Sequence, residues 1–287
     1  KMKQIQNKVI LQDIEYLILK EYKTGQQVQT FQIMNLQKDE YIIQLSKDKL
    51  NINKRVEILN KLLGIQGVPK IVEYGELNAT NSPKKSYLKY QYFEGVAVDK
   101  NLSCEKISSQ QQLLEHLRSF RKILTIISKI HEKNVFHFDL KPENILINEQ
   151  GEIQIIDFGS AAHVIPSVNE ICQEKNWLMS KESKIKNLIG LPTSPAFSSF
   201  RFDQFNYGNV VCDKYDIYSL GCTFYNLLMG KNKYLKRPMG PETQEFAEML
   251  NKYGEDITDL VSGMTARNPI IRYDLAICLN HPVFQQI

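Results

Sequence analysis

Several features of extracellular, membrane or metal-binding proteins are missing from this sequence of 287 residues. Its five cysteines are scattered, without a CxxC pair or metal-ligand spacing, which indicates reduced thiols. No apolar run is long enough to cross a bilayer, and the first residues lack the apolar core of a signal peptide. We therefore expect a cytoplasmic location, free or within a cytoplasmic assembly, and no insertion into membranes.

The sequence also lacks a large excess of positive or negative charge. The formal net charge is +4, which gives no reason to expect nucleic acid as a partner. Hydrophobic residues make up 43% of the chain, enough for a core of ordinary size. Repeats and low-complexity segments are absent, so the length predicts one large domain or two fused small lobes.

The spacing of apolar residues changes near residue 100. Before it, short apolar runs such as Tyr41–Leu45 predict strands, and helical spacing at 56–63 predicts one helix. After it, apolar residues three or four apart predict helices, with Ser108 or Ser109 capping the first. We expect a smaller sheet-rich lobe over residues 1–93 and a larger helical lobe over residues 94–287.

The clearest chemical pattern is HFDLKPENIL at residues 137–146. Asp139 is followed by Lys141 and Asn144, and eleven residues past the segment an apolar strand ends in Asp157-Phe158-Gly159. An isolated Asp-Phe-Gly would be a weak signal. The combination found here is very specific. A first Asp is followed by a Lys and an Asn, and a hairpin then presents a second Asp.

This combination resembles the catalytic segment of the protein kinases, and its LKPEN wording resembles the Ser/Thr type of these transferases. DIYSLG at 216–221 and the late Arg272 resemble further family features, so that the likeness covers about residues 13–285. The resemblance implies an α+β, bilobal protein-kinase fold. Its small lobe would hold a five-stranded antiparallel sheet with one helix, and its larger lobe would be mainly α-helical.

The resemblance also implies ATP and Mg²⁺ as cofactors and assigns roles to residues. Asp139 would accept or orient the proton of the substrate hydroxyl, and Lys141 would steady the transferring phosphoryl group. Asn144 and Asp157 would hold the magnesium ions. The positions that the resemblance assigns to the nucleotide are Val28, Gln44, Gln91, Tyr92, Asn144, Leu146 and Asp157.

The residues that should grip ATP in the small lobe depart from the family pattern. Glu21, Lys23 and Gln26 occupy the glycine positions of the phosphate loop. Gln44 replaces the lysine that contacts the α- and β-phosphates, and Arg55 replaces the glutamate that pairs with it. Losing such a charged contact in a closed site removes roughly 2–4 kcal/mol of transition-state stabilisation. We therefore expect phosphotransfer to be weak or absent.

Two departures in the larger lobe concern the activation segment. Phe138 replaces the arginine that grips an activation-loop phosphate, so this segment should not be a phosphorylation switch. Ala196-Phe197-Ser198 stands where the family has Ala-Pro-Glu, which removes the glutamate partner of Arg272. We expect Arg272 to bond a backbone carbonyl or another acid instead.

Three interpretations of function follow. The first is a degenerate kinase, or pseudokinase, that serves as a scaffolding or allosteric module for protein partners, with weak or no ATP binding. The second is an active but atypical Ser/Thr kinase, in which Lys20 or Lys23 replaces the missing lysine. The third is a structural component of a large assembly. In these cases Asp139, Lys141, Asn144 and Asp157 are either a live magnesium-nucleotide site or inherited scaffold.

Overall fold

The computed structural model describes residues 8–22, 28–77, 84–102, 107–164, 212–230, 232–235, 237–285 and 287. The chain divides into two compact units. We call Lys1–Leu63 with Val68–Glu94 the sheet unit, and Gly64–Gly67 with Gly95–Ile287 the helical unit. No helix within the described ranges is long and apolar enough to cross a membrane.

The sheet unit contains a six-stranded antiparallel sheet with strand order β1-β2-β3-β4-β6-β5. The strands are β1 (Lys8–Leu11), β2 (Ile14–Tyr22), β3 (Gln29–Met34), β4 (Glu40–Ser46), β5 (Ile71–Leu77) and β6 (Lys85–Gln91). The expectation of five strands was wrong because it missed β1. That strand has four residues and buries only Leu11, so its sequence carries almost no alternation of apolar and polar positions.

One helix, α1 (Lys49–Lys61), packs against β4, β5 and β6. Asp48 caps its first turn by accepting a hydrogen bond from the Leu50 amide at 2.9 Å. The helix begins seven residues before the predicted apolar stripe at 56–63. This earlier start was not predicted because the first two turns are mostly polar. The chain leaves the helix through Gly64, whose φ of 89° suits glycine.

A buried ion pair joins three strands of this sheet. The ammonium group of Lys89, a residue 3% exposed, donates to the Tyr16 hydroxyl at 2.7 Å and pairs with Glu73 at 2.5 Å. The Tyr87 hydroxyl donates to the same carboxylate. Burial alone would lower the pKa of Lys89, but these partners raise it. The pair thus keeps β2, β5 and β6 together around a charged centre.

Among its described residues the helical unit contains four long and two short α-helices and five short strands. The helices are α2 (Val98–Asn101), α3 (Gln110–His131), α4 (Cys212–Met229), α5 (Gln244–Tyr253), α6 (Glu255–Met264) and α7 (Leu275–Leu279). The strands are β7 (Val96–Ala97), β8 (Val135–Phe136), β9 (Ile145–Ile147), β10 (Ile153–Ile155) and β11 (Ala162–His163). They form two antiparallel sheets, β10-β9-β7 and β11-β8.

The core of the helical unit forms around α4, which is buried at every position from Tyr215 to Leu228. Phe224 of α4 stacks on Phe120 of α3 with ring centroids 3.8 Å apart. The expected cap of α3 is confirmed, since the Ser109 hydroxyl accepts from the Gln112 amide at 3.3 Å. Together the two units confirm the predicted α+β protein-kinase fold, with an antiparallel sheet and helix in one lobe and a mainly helical second lobe.

Candidate active site

The loop that carries the catalytic pattern is fixed by one buried carboxylate of α4. Asp216 is fully buried, and its Oδ2 accepts from the His137 amide at 2.8 Å and from His131 Nε2 at 2.9 Å. Its Oδ1 accepts from the Phe138 amide at 2.8 Å. Since buried amides need partners, this carboxylate determines the path of the backbone just before Asp139.

His137 also holds the catalytic loop in place. Its Nε2 bonds the Ile156 carbonyl at 2.9 Å, and its Nδ1 bonds the Asp139 amide at 3.3 Å. Its ring lies against Phe158, with centroids 4.9 Å apart. Both ring nitrogens are used within the core, so His137 is a packed structural residue.

Three of the predicted site residues come together directly after His137. Asp139 Oδ2 accepts from Lys141 Nζ at 3.0 Å and from Asn144 Nδ2 at 3.1 Å. Asp139 is only 7% exposed, and its Oδ1 is buried without a hydrogen-bond partner in the described part of the chain. Oδ1 is thus the carboxylate oxygen that remains for the proton-accepting role, which stays a prediction.

The residues proposed as magnesium ligands offer oxygen atoms, which fit that ion. The Asn144 amide also donates to the Asp139 carbonyl at 2.8 Å, so its Oδ1 is left for another partner. The Asn144 carbonyl accepts from the Ile156 amide at 2.9 Å, which connects it to the residue before Asp157. Asp157 is exposed and has a φ of 62°. Mg²⁺ accepts such a small protein set because it keeps water and phosphate ligands.

No group of three or more His, Cys, Asp or Glu side chains that could hold a metal occurs among the described residues. Asn144 and Asp157 as magnesium ligands stay a prediction. Leu146, the other nucleotide position of this unit, lies half-buried on β9 between Gln154 of β10 and Ala97 of β7.

The other nucleotide positions lie in the sheet unit. Val28 is buried just before β3, and Gln44 is buried on β4, in register with Thr30 and Leu88. Gln91 ends β6, and the Tyr92 amide donates to the Glu40 carbonyl at 3.3 Å. Lys23 and Gln26, two of the residues that replace glycines, lie outside the described residues.

Arg55 of α1 faces Gln44, where the resemblance places a glutamate facing a lysine. Its Nη1 donates to Gln44 Oε1 at 3.5 Å, and its Nε donates to Asn51 Oδ1 at 3.0 Å. Both Arg55 and Gln44 are 8% exposed. Glu57, two residues further along the helix, is exposed. This strand–helix pair thus has its cation on the helix, and the strand contributes a neutral amide.

Phe138 stands in an aromatic cluster instead of presenting a charge. It is 7% exposed and packs with Phe136, Ala162, Cys212 and Tyr215. Its ring centroid lies 5.8 Å from that of Tyr215 and 6.1 Å from that of Phe136. The sequence analysis recognised the lost arginine but missed these partners, because they come from α4, β8 and β11.

The second arginine, Arg272, is 1% exposed and bonds backbone carbonyls, as expected. Its Nε donates to the Ala266 carbonyl and its Nη1 to the Lys214 carbonyl, each at 2.9 Å, and its guanidinium lies over the Tyr218 ring. The segment Ala196-Phe197-Ser198 and the activation-segment residues Ser180, Ser183, Thr193 and Ser194 lie outside the described residues.

The fold and the Asp139–Asn144 loop define a kinase-like class of protein, and comparisons with known proteins identify the family. The family described as "Protein kinase domain" matches residues 19–187, more than half of the chain. The chain therefore belongs to the protein kinase family.

Curated relatives are Ser/Thr and dual-specificity kinases. Calcium-dependent protein kinase 27 of Arabidopsis thaliana is 27% identical over 245 residues, 81% of this chain and 45% of that protein. Dual specificity protein kinase TTK of Mus musculus is 25% identical over 287 residues, 94% of this chain and 31% of that protein. Mitogen-activated protein kinase kinase kinase 3 of Arabidopsis thaliana is 26% identical, with 83% and 36% covered. The chain thus spans less than half the length of these relatives.

The aromatic cluster around Phe138 gives a testable expectation. Phe138→Arg would bury a guanidinium among apolar side chains, which should lower the free energy of unfolding by about 3 kcal/mol or more. Phe138→Leu keeps the site apolar and should cost less, about 1–2 kcal/mol. Urea unfolding of both variants measures the difference. Equal stability of Phe138→Arg and the unchanged chain would contradict this expectation. It would show that the site accommodates an arginine, the residue that could bind an activation-loop phosphate.

Proposed function

We propose that this domain is a Ser/Thr-type protein kinase domain in which phosphotransfer is very weak or absent. Its role would be that of a scaffolding or allosteric module that binds protein partners. The observation that carries the proposal is the contact of Arg55 with Gln44, because it replaces the opposite-charge pair of the family pattern with one cation and one neutral amide.

The helical unit supports retention of part of the chemistry. With ATP and Mg²⁺ bound, the metal would supply charge neutralisation on the phosphates. Asn144 Oδ1 and the Asp157 carboxylate would hold the ion, and Asp139 Oδ1 would receive the proton of the attacking hydroxyl. Lys141 neutralises Asp139 in part, since its ammonium lies 3.0 Å from Oδ2.

The sheet unit supports the impairment. Gln44 can donate a hydrogen bond to a phosphate but brings no positive charge, and a charged contact in a closed site contributes roughly 2–4 kcal/mol. A deficit of that size corresponds to on the order of 10²–10³ in rate. Ile42 and Tyr90, which pair across β4 and β6, add bulk at positions that the resemblance assigns to the adenine pocket.

The second candidate is an active, atypical Ser/Thr kinase, which the unpartnered Asp139 Oδ1 favours. It needs a replacement for the missing lysine. Lys20 is exposed on β2, and its ammonium lies over the Tyr22 ring, 4.6 Å from the centroid. Lys23 lies outside the described residues. The two candidates differ in the measured rate of transfer, and the following two expectations separate them.

Restoring the family's charges should restore function only when both residues change. Gln44→Lys alone would place two cations side by side, 3.5 Å apart in the present contact, and should leave transfer undetectable. Arg55→Glu alone should also fail. The double variant recreates an ion pair and should transfer phosphate at least about tenfold faster than either single variant. The measurement is single-turnover transfer of labelled γ-phosphate to a generic protein substrate.

Robust activity of Gln44→Lys alone would contradict the placement of Arg55 opposite residue 44. Fast transfer by the unchanged chain would contradict the impairment and favour the atypical kinase.

Nucleotide binding, where present, should depend on magnesium and on Asp157. Because the protein neutralises the phosphates poorly, the metal must carry most of the neutralisation. Asp157→Asn should abolish the thermal shift that ATP with Mg²⁺ produces. Gln44→Ala removes no charge and should reduce that shift less. Asp13→Asn, at an exposed turn position where asparagine tolerates the φ of 66°, is the matched control.

Tight binding of ATP without Mg²⁺ would mean that residues of the sheet unit neutralise the phosphates without the metal. Lys23 would then be the first residue to mutate. Absence of any shift would make Asn144 and Asp157 inherited scaffold and leave the surface of the domain as its functional part.

A further inference from the structure

An open groove of about 740 Å³ lies among α5, α6 and α7 of the helical unit. Phe246 and Leu250, one turn apart on α5, form its apolar side together with Ile277 of α7. Leu250 is 38% exposed and Ile277 is 47% exposed. Large aliphatic side chains gathered on a concave surface are typical of a place where another apolar side chain binds.

The same groove also has acidic residues in its lining. They are Glu255, Asp256 and Asp259, and among the described residues that line the groove there is no lysine or arginine. The sign is opposite to that of the whole chain, whose net charge is +4. Glu255 and Asp256 lie in the first turn of α6, where acidic residues also stabilise a helix through its dipole. These two residues alone would therefore not indicate a ligand.

Asp259 is different because two neighbours hold its carboxylate while it stays exposed. Its Oδ2 accepts from the Tyr273 hydroxyl at 2.7 Å and from His281 Nε2 at 3.0 Å. His281 is itself fixed, since its Nδ1 accepts from the Val283 amide at 3.3 Å. The Asp259 side chain is nevertheless 58% exposed. Both donors use the same oxygen, which leaves Oδ1 for a further donor.

The support behind Asp259 is tightly packed. A Cβ on Gly263 would come within 2.2 Å of the Tyr273 ring, so the ring lies directly on the backbone of α6. Burial, and then the hydrogen bond to Asp259, raise the pKa of Tyr273 to about 12, so the hydroxyl remains a donor. A carboxylate that is already ordered loses little conformational freedom when it binds a cation, which favours affinity.

We propose that this groove binds a short basic segment of a partner protein. A large aliphatic side chain of the segment would lie between Leu250 and Ile277, and an arginine or lysine would bond Asp259 Oδ1. Charge complementarity determines this choice of occupant, since the groove offers three carboxylates beside an apolar surface. The proposal goes beyond the proposed function and holds equally for an active kinase, because it uses none of the residues assigned to ATP or phosphotransfer.

The test is fluorescence anisotropy of a labelled peptide that combines leucines with arginines, titrated with the 287-residue chain. The expected Kd is about 1–100 μM, the range of a short segment on one groove. Asp259→Asn and Ile277→Glu should each weaken binding at least about fivefold, since each removes a principal contact. Leu36→Glu, which changes an 85% exposed leucine in the sheet unit, should leave binding unchanged.

Asp256→Asn is the matched control for charge, because it removes the same charge from the same groove without the two supporting donors. It should weaken binding less than Asp259→Asn does. Thermal unfolding of each variant confirms that the fold persists, and the exposed Ile277 provides a change that does not disturb the core.

Three results would overturn the proposal. The first is equal binding of a peptide in which every arginine is replaced by glutamate, or no binding of either peptide. The second is an equal loss for Asp256→Asn and Asp259→Asn, which would reduce the effect to general electrostatics. The third is a dimer of the chain that Ile277→Glu dissociates, which would make a second copy the occupant.

Discussion

The carboxylate of Asp216 is the interaction on which the candidate catalytic loop depends. It is fully buried, and it joins α4 to two consecutive amides, of His137 and Phe138, and to the ring of His131. Removing it would leave buried donors without partners, which is among the costlier changes a protein core can suffer. Through His137 the same support reaches the Ile156 carbonyl, one residue before Asp157. The positions of Asp139, Asn144 and Asp157 therefore follow from the packing of one helix.

The sheet unit combines an antiparallel sheet and helix with charges that differ from those the resemblance implies. Its central strands β3, β4 and β6 pair in regular antiparallel register, and the buried Lys89–Glu73 pair shows that this sheet accommodates a charged pair in its interior. At Gln44 and Arg55, by contrast, the pair consists of a cation and a neutral amide. The catalytic loop is ordered, but the strand–helix pair differs from the pattern of the family. For this reason we propose a kinase fold that is used mainly for binding. The measured rate of phosphotransfer then decides whether the loop is still catalytic.

Short-range patterns were the part of this protein that sequence could predict. HFDLKPENIL places Asp139, Lys141 and Asn144 within six residues, so backbone geometry alone brings them together. The cap at Ser109 is equally local. β1 was missed because three of its four residues are not buried, and the start of α1 was missed because its first two turns are mostly polar. The partners of Phe138 and the groove at Asp259 depend on tertiary packing, to which a single sequence gives no direct access.

The central claim is most directly tested by the single-turnover rate of γ-phosphate transfer, measured for the unchanged chain and for Asp139→Asn with ATP and Mg²⁺ at saturation. Kinases usually turn over at about 1–100 s⁻¹. The account predicts transfer at least about 100-fold slower than this range, because the cation that meets the phosphates is missing. A rate within the usual range that Asp139→Asn abolishes would contradict it and identify the domain as an active kinase.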